Sequence, residues 1–288
     1  MSTQKDSYFD YRVVHEDETG RILVANSLTS FESDDHRNDV VVGGSFAGAP
    51  TGVLPVRRGA RGWLAHEAGP GLDDAGVAGL EISDRFGVPA AAVATMSARI
   101  ADGMGLLEGT ISRVNKSAAA LGLEPGITGQ EATRIMLART SPGEFRDVTG
   151  IVDESTVTLL ETDQGGIYSC WSSSRVTGQH PSDVFLLASH GAKTMALYVL
   201  EINPKGVIVN DAGRALDDSG IEGLAELDLH GIAAAAVSAD SARIGDASST
   251  YGGVISAAND AAAKVGVRVG QGAKEAAELM LNGGRAVS

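Results

Sequence analysis

The sequence predicts an α/β protein built as a tandem duplication, and three observations carry that prediction. The second half of the chain repeats the first at a constant offset of 144 residues. Within each half, short apolar runs alternate with helical segments, which is the pattern of βαβ crossovers and a parallel sheet. Hydrophobic residues make up 43% of the chain but aromatic residues only 5%, so the core must be built from Ala, Val, Leu and Ile.

The repeat needs no gap. Residues 97–100 and 241–244 both read Ser-Ala-Arg-Ile, and the segments EATRIML and EAAELML align near the ends of the two halves. Because 288 residues are twice 144, we predict two domains, residues 1–144 and 145–288. Such a unit is too long for a solenoid repeat, which runs about 20–50 residues. We expect two Rossmann-like copies related by a pseudo-twofold axis.

Each copy is expected to hold a β-hairpin and a three-stranded parallel sheet with helices. The polar Glu-Thr-Gly within residues 11–27 predicts the hairpin turn of the first copy. Apolar runs predict its three strands, at 39–45, 62–69 and 88–99. Helices are predicted up to Gly59 and at 73–87, 110–122 and 129–140. The second copy repeats the pattern, with strands at 183–189, 205–213 and 232–243 and helices at 219–231, 254–266 and 273–281.

Charge and composition exclude several classes of protein. The net charge of −14 would repel a nucleic-acid backbone or an anionic membrane. The chain holds no apolar stretch long enough to span a bilayer, its N-terminus does not resemble a signal peptide, and its single cysteine cannot form an internal disulfide. We therefore expect a soluble cytoplasmic protein without nucleic-acid or membrane partners, and a homo-oligomer is compatible with this fold.

Polar residues cluster where the predicted parallel strands end, which is where open α/β sheets bind ligands. In the loop after the first strand, Ser189 is a candidate nucleophile and His190 a candidate acid or base. The aligned residues of the first copy are Ser45 and Phe46. Small residues around them suit an anion site at a helix N-terminus. The alternative for both serines is a structural role as helix N-caps.

The loop after the second strand has a similar sequence in both halves of the chain, HEAGPGLDDAG (66–76) and NDAGRALDDSG (210–220). Asp211 is the candidate general base in this loop, with a purely structural role as the alternative. The loop also holds three candidates for substrate binding, Asn210, His66 and Glu67. The acidic pairs that follow precede a predicted helix and are expected to cap it and face its dipole, at 73–74 and 217–218.

The loop after the third strand carries Arg243, with Arg99 at the aligned position. A planar guanidinium suits a carboxylate or phosphate, so both are candidates for anchoring an anionic substrate. The alternative is an Arg–Asp pair that braces the loop. Asp240 and Asp246 are further candidates for substrate contacts. A Ser-x-x-Asn spacing occurs twice on a predicted helix with both side chains on one face, in Ser112 and Asn115 and in Ser256 and Asn259. Such a face would either point at the site or bond to the neighbouring loop.

Several standard motifs are absent from the sequence. It has no G-x-x-x-x-G-K-[ST] phosphate loop, no G-x-S-x-G nucleophile elbow and no G-x-G-x-x-G after a strand. Zinc-binding spacings of His and Cys are also missing. We therefore assign no metal ligands and no cofactor, and a carboxylate-rich metal site that uses Asp211 or Glu67 stays an open alternative.

The candidates together favour an enzyme, a hydrolase of an amide- or ester-like bond in a small polar or anionic metabolite. Asp211 would act as base, His190 as acid or base and Ser189 as nucleophile, while Arg243 anchors the substrate. The alternative is a non-catalytic protein that binds a small anion with the same groups. A third interpretation is a structural subunit whose matching faces drive assembly.

Overall fold

The computed structural model describes residues 4–283 and has a mixed α/β architecture with two six-stranded sheets. The chain forms two compact units. The first takes the described residues up to Gly69, together with Gly76–Asp153 and Ala215–Asp217. The second takes Pro70–Ala75, Glu154–Arg214 and the described residues from Asp218 onward. Two short segments thus belong to a unit that is remote from them in sequence.

The first sheet follows chain order across its six strands. These are β1 (Arg12–Asp17), β2 (Gly20–Ala25), β3 (Asp39–Phe46), β4 (Gly62–His66), β5 (Ala90–Val93) and β6 (Ile111–Val114). Strands β2 to β5 are parallel, and β1 and β6 run antiparallel at the two edges. The helices are α1 (Gln4–Phe9), α2 (Ala49–Arg57), α3 (Ala78–Asp84), α4 (Gly103–Glu108), α5 (Lys116–Ala120) and α6 (Gly129–Arg139).

The second sheet has the same strand order and the same directions. Its strands are β7 (Val157–Thr162), β8 (Gly165–Cys170), β9 (Val184–His190), β10 (Gly206–Asn210), β11 (Ala233–Val237) and β12 (Ile255–Ala258). Its helices are α7 (Lys193–Ile202), α8 (Gly223–Leu229), α9 (Ala247–Thr250), α10 (Asp260–Lys264) and α11 (Ala273–Asn282).

Helices cover both faces of each sheet, so the central strands are buried on both sides. In the first unit, Val41 and Trp63 pack with residues of α2 and α3, whereas Val42 and Leu64 pack with residues of α4 and α6. Every residue of β3 is buried. This explains why the parallel strands are continuous apolar runs rather than alternating ones. Among residues 4–283 there is no helix of the length and apolarity that a membrane crossing requires.

The predicted α/β class and parallel strands are confirmed, but the predicted strand number is wrong. The second hairpin strand also pairs in parallel with β3, with Leu23 opposite Val41, so each parallel sheet has four strands. The segment 111–114 was expected to be helical but forms an antiparallel edge strand, as does 255–258. Pairing with β5 and β11 supplies hydrogen bonds that a sequence pattern does not reveal, so tertiary context overrides local propensity.

The predicted helix caps are also wrong. Ser45 and Ser189 lie within β3 and β9, and the helices that follow begin after Gly48 and Ala192. The acidic pairs at 73–74 and 217–218 lie in turns where all four residues have positive φ, and α3 and α8 begin several residues later. A left-handed backbone at these residues prevents them from adopting the cap geometry, which is extended at the N-cap.

Candidate functional site

Three loops meet at the carboxyl ends of β9, β10 and β11 in the second unit. The Gly191 N–H donates to the carbonyl of Asn210 (3.1 Å), and the Asp211 N–H donates to the carbonyl of Val237 (2.9 Å). The chain returns to β9 further on, where the Gly245 N–H donates to a carbonyl of that strand (2.5 Å). The loops that carry the predicted site residues are therefore adjacent, as the parallel sheet requires.

Asp211, the predicted general base, has both carboxylate oxygens engaged. Its Oδ1 accepts from the backbone N–H groups of Gly213 (3.0 Å) and Ala239 (2.9 Å), and its Oδ2 accepts from the hydroxyl of Ser256 (2.8 Å). The residue is 5% exposed. These bonds join the loop after β10 to the loop after β11 and to the edge strand, and none of them goes to the predicted nucleophile or imidazole.

Ser189 and His190 end strand β9, and both are buried. Successive strand residues point to opposite faces, so adjacency in sequence does not bring the hydroxyl to the imidazole. The Nδ1 atom of His190 accepts from the Ala192 N–H (3.3 Å), which leaves Nε2 to carry the proton in the neutral ring. His190 is therefore arranged as a donor through Nε2. Phe46, its aligned residue in the first unit, is buried as well.

Asn210 is fully buried, and its side chain bridges two loops. The Nδ2 group donates to the carbonyl of Ala242 (3.0 Å), and Oδ1 accepts from the Ala212 N–H (2.9 Å). Both ends of the amide are thus used within the second unit. This arrangement holds the backbone next to Arg243 rather than presenting the amide to a ligand.

His66 makes the same two bonds in the first unit. Its Nε2 donates to the carbonyl of Ala98 (3.1 Å), and its Nδ1 accepts from the Ala68 N–H (3.0 Å). The pattern requires the neutral imidazole with the proton on Nε2. Burial lowers the pKa of His66, against an opposing effect of the Ala98 carbonyl, and so favours that neutral form.

Glu67 corresponds to Asp211 and is engaged in the same way. Its Oε1 accepts from the N–H (2.7 Å) and the hydroxyl (2.9 Å) of Thr95, and its Oε2 accepts from the hydroxyl of Ser112. The sequence singled out Ser112 and Ser256 as residues that face the site or the neighbouring loop, but it did not predict Glu67 and Asp211 as their partners. The identity of the two serines at aligned positions was a usable signal, but the wrong helical assignment placed them on a helix face instead of an edge strand.

The predicted anchors Arg243 and Arg99 both form ion pairs. In the second unit, Arg243 contacts Oδ2 of Asp73 through Nε (2.7 Å) and Nη2 (2.5 Å), and its Nη1 lies 3.7 Å from Asp246. In the first unit, Nη1 of Arg99 lies 3.3 Å from Oδ2 of Asp217. Both arginines thus form the Arg–Asp pairs that were the structural alternative to substrate binding. Asp73 and Asp217, the main partners, belong to the Leu-Asp-Asp sequence that occurs in both loops.

The two remaining candidates lie in the loop after β11. Asp246 caps α9, and its Oδ1 accepts from the N–H groups of Ser248 (2.9 Å) and Ser249 (3.3 Å). Asp240 is exposed, and its N–H donates to the hydroxyl of Ser238 (3.2 Å).

The loop after β10 has an unusual backbone. Four consecutive residues have positive φ, namely Ala212 (53°), Gly213 (63°), Arg214 (67°) and Ala215 (58°). Positive φ is uncommon for residues other than glycine and costs roughly 1–2 kcal/mol for each L-residue. Sequence analysis did not predict this turn, because three of its four residues are not glycine.

Within residues 4–283, no group of three or more His, Cys, Asp or Glu side chains is arranged to hold a metal ion. Comparison of the chain with protein-family models, with curated proteins and with solved structures found no match. The geometry of the strand-end loops is therefore the basis for the functional proposals that follow.

Proposed function

We propose that the second unit binds a small polar or anionic molecule at the carboxyl ends of β9 to β11. One observation carries the proposal: four polar side chains at this edge are at most 7% exposed, those of Ser189, His190, Asn210 and Asp211. Asn210 and Asp211 are satisfied within the unit and hold the loops in place, so Ser189 and His190 are the polar groups that would orient a ligand, as a few placed polar groups do in ligand pockets. Helix α7 begins here after Ala192, whose side chain cannot cap the first N–H groups, and such a helix end favours an anion.

Hydrolysis of an amide- or ester-like bond is the second candidate function. The observation in its favour is that Nδ1 of His190 accepts from the Ala192 N–H, so a neutral ring carries its proton on Nε2, and this proton would be the one transferred to a leaving group. Ser189 would be the nucleophile, Asp211 its base and Arg243 the anchor. Asp211 already accepts three hydrogen bonds, so taking a proton from Ser189 would require one of them to break. We therefore rank ligand binding above hydrolysis as the proposed function.

Calorimetry on the full chain with a panel of small carboxylates, phosphate esters, amides and esters tests both candidates. Each ligand is then inspected by NMR after long incubation. An intact bound ligand supports the binding function, and a cleaved ligand supports the hydrolase. Absence of both binding and cleavage across the panel would overturn the proposal.

His190→Phe is the informative variant, because the first unit holds Phe46 at the aligned position. It should fold and lose binding or turnover at least tenfold. Phe46→His in the first unit is the matched control and should leave both unchanged. Equal binding by the wild type and His190→Phe would remove His190 from the site.

We also propose that the chain arose by duplication, with Rossmann-like copies at residues 1–144 and 145–288. The constant offset of 144 residues and the shared strand order of the two sheets support this proposal. The pseudo-twofold relation, a homo-oligomer, the absence of nucleic-acid partners and a cytoplasmic location stay predictions from the sequence.

A further inference from the structure

Arg243 holds a carboxylate at the edge where the proposed ligand would bind. Its Nε and Nη2 both contact Oδ2 of Asp73, at 2.7 and 2.5 Å. The Arg243 and Asp73 side chains are 46% and 58% exposed, so a dissolved molecule can reach the pair. Pairing of a guanidinium fork with a carboxylate is the contact by which proteins recognise carboxylate ligands.

The local charge balance determines how an anion could enter. Asp246 lies 3.7 Å from Nη1 of Arg243, so one guanidinium already faces two carboxylates. An additional anion would be repelled while both carboxylates stay. A ligand therefore has to take the place of one of them, and Asp246 is held by α9, whose N–H groups it caps.

Asp73 is the carboxylate that can leave at low cost. Its side chain is 58% exposed and can rotate away from Arg243 without moving the backbone, which the Leu72 N–H ties to the carbonyl of Ala239 (2.9 Å). Exposed ion pairs of this kind also contribute little stability.

We infer that Asp73 occupies Arg243 as an internal substitute for the carboxylate of a small monoanionic ligand, which displaces it on binding. This inference rests on the proposed binding function and names the ligand class for it. A carboxylate fits better than phosphate, because Asp246 beside the guanidinium disfavours a second negative charge on the ligand.

Titration of the full-length protein with propionate, and separately with inorganic phosphate, tests the inference. Asp73→Asn removes the competing charge, and asparagine tolerates positive φ well, so the variant should fold. Its affinity for propionate should rise roughly two- to fivefold over the wild type, because the ligand no longer has to break an exposed ion pair of that strength. Asp217→Asn, which frees Arg99 instead, is the matched control and should bind propionate as the wild type does. Arg243→Gln should lose propionate binding.

Equal propionate affinity in the wild type and Asp73→Asn would overturn the inference, as would binding that survives Arg243→Gln or a preference for phosphate. No propionate binding by any variant would overturn it as well. The proposed function fails separately, when no member of the wider ligand panel binds. A panel ligand that binds through His190 but does not respond to Asp73→Asn leaves the function intact and rejects only the role of Asp73.

Discussion

At the scale of single residues, an imidazole and an amide perform the same task. His66 and Asn210 each donate to a carbonyl of the loop after the next strand and accept from an N–H two residues on. Both are fully buried. The sequence made both residues candidates for substrate binding, and in the structure each bridges two loops of its own unit with a different chemical group.

His66→Asn should therefore be tolerated. At pH 8 we expect its free energy of unfolding to stay within about 1 kcal/mol of the wild type, because the amide can make both bonds. His66→Leu leaves a buried carbonyl and N–H without partners and should cost roughly 2–4 kcal/mol. Urea denaturation measures both values. A larger loss in the asparagine variant than in the leucine variant would contradict the shared role.

The free energy of unfolding should depend on pH more strongly in the wild type than in His66→Asn. Burial lowers the folded-state pKa of His66, so below the ordinary histidine value of about 6.5 the unfolded chain binds the proton more readily than the folded one. The wild type should lose stability between pH 7 and 5, by at most about 1.4 kcal/mol per pH unit, and His66→Asn should lose less. Parallel plots of unfolding free energy against pH for the two proteins would show that protonation of His66 does not contribute to the loss between pH 7 and 5.

At the scale of elements, one asparagine joins the edge strand to its helix. The Asn115 Oδ1 accepts from the N–H groups of Ala90 (3.0 Å) and Ala118 (2.8 Å), and its Nδ2 donates to the carbonyls of Leu80 (3.2 Å) and Val88 (2.9 Å). All four hydrogen bonds available to the amide are used. Asn259 makes the equivalent bonds in the second unit. The asparagine thus ends β6, caps α5 and holds the start of β5.

Asn115→Asp should destabilise the protein by roughly 2–4 kcal/mol, because a carboxylate cannot donate to the two buried carbonyls. Asn259→Asp should do the same in the second unit. The control is Gln130→Glu, an amide-to-acid change at an exposed position in the first turn of α6, where an acid is favourable. Urea unfolding measures all three. If Gln130→Glu lowered the free energy of unfolding as much as Asn115→Asp does, the added negative charge would explain the effect, and the lost hydrogen bonds would not.

At the scale of the whole molecule, the two compact units do not coincide with the two domains predicted from the sequence, residues 1–144 and 145–288. The first unit includes Ala215–Asp217, and the second includes Pro70–Ala75. In the first unit, the Leu216 N–H donates to the carbonyl of Thr95 (3.2 Å), and Asp217 pairs with Arg99. The domain boundary that we predicted from the repeat would separate these residues.

A fragment of residues 1–153 should consequently be less stable than the first unit of the full chain. Trp63 reports on this unit by fluorescence once Trp171, the other tryptophan, is replaced by phenylalanine. We expect a lower urea midpoint for the fragment, because it lacks Leu216 and Asp217, which contact Thr95 and Arg99 in the full chain. Coincident midpoints in the fragment and the full chain would show that Ala215–Asp217 contributes nothing to the unit.

The sequence by itself determined the α/β class, the positions of most helices and parallel strands, and the strand-end loops that carry the polar residues. Hydrophobic periodicity is a local signal, and the 144-residue offset is found by aligning the sequence with itself, so both are readable without coordinates. Tertiary structure alone decided that residues 111–114 and 255–258 are edge strands, that Asp73 and Asp217 pair with arginines, and that Asp211 and Glu67 are bound by loop N–H groups and serines. These outcomes depend on partners far away in sequence. The free energy of a hydrogen bond or an ion pair is set by the groups that folding brings together.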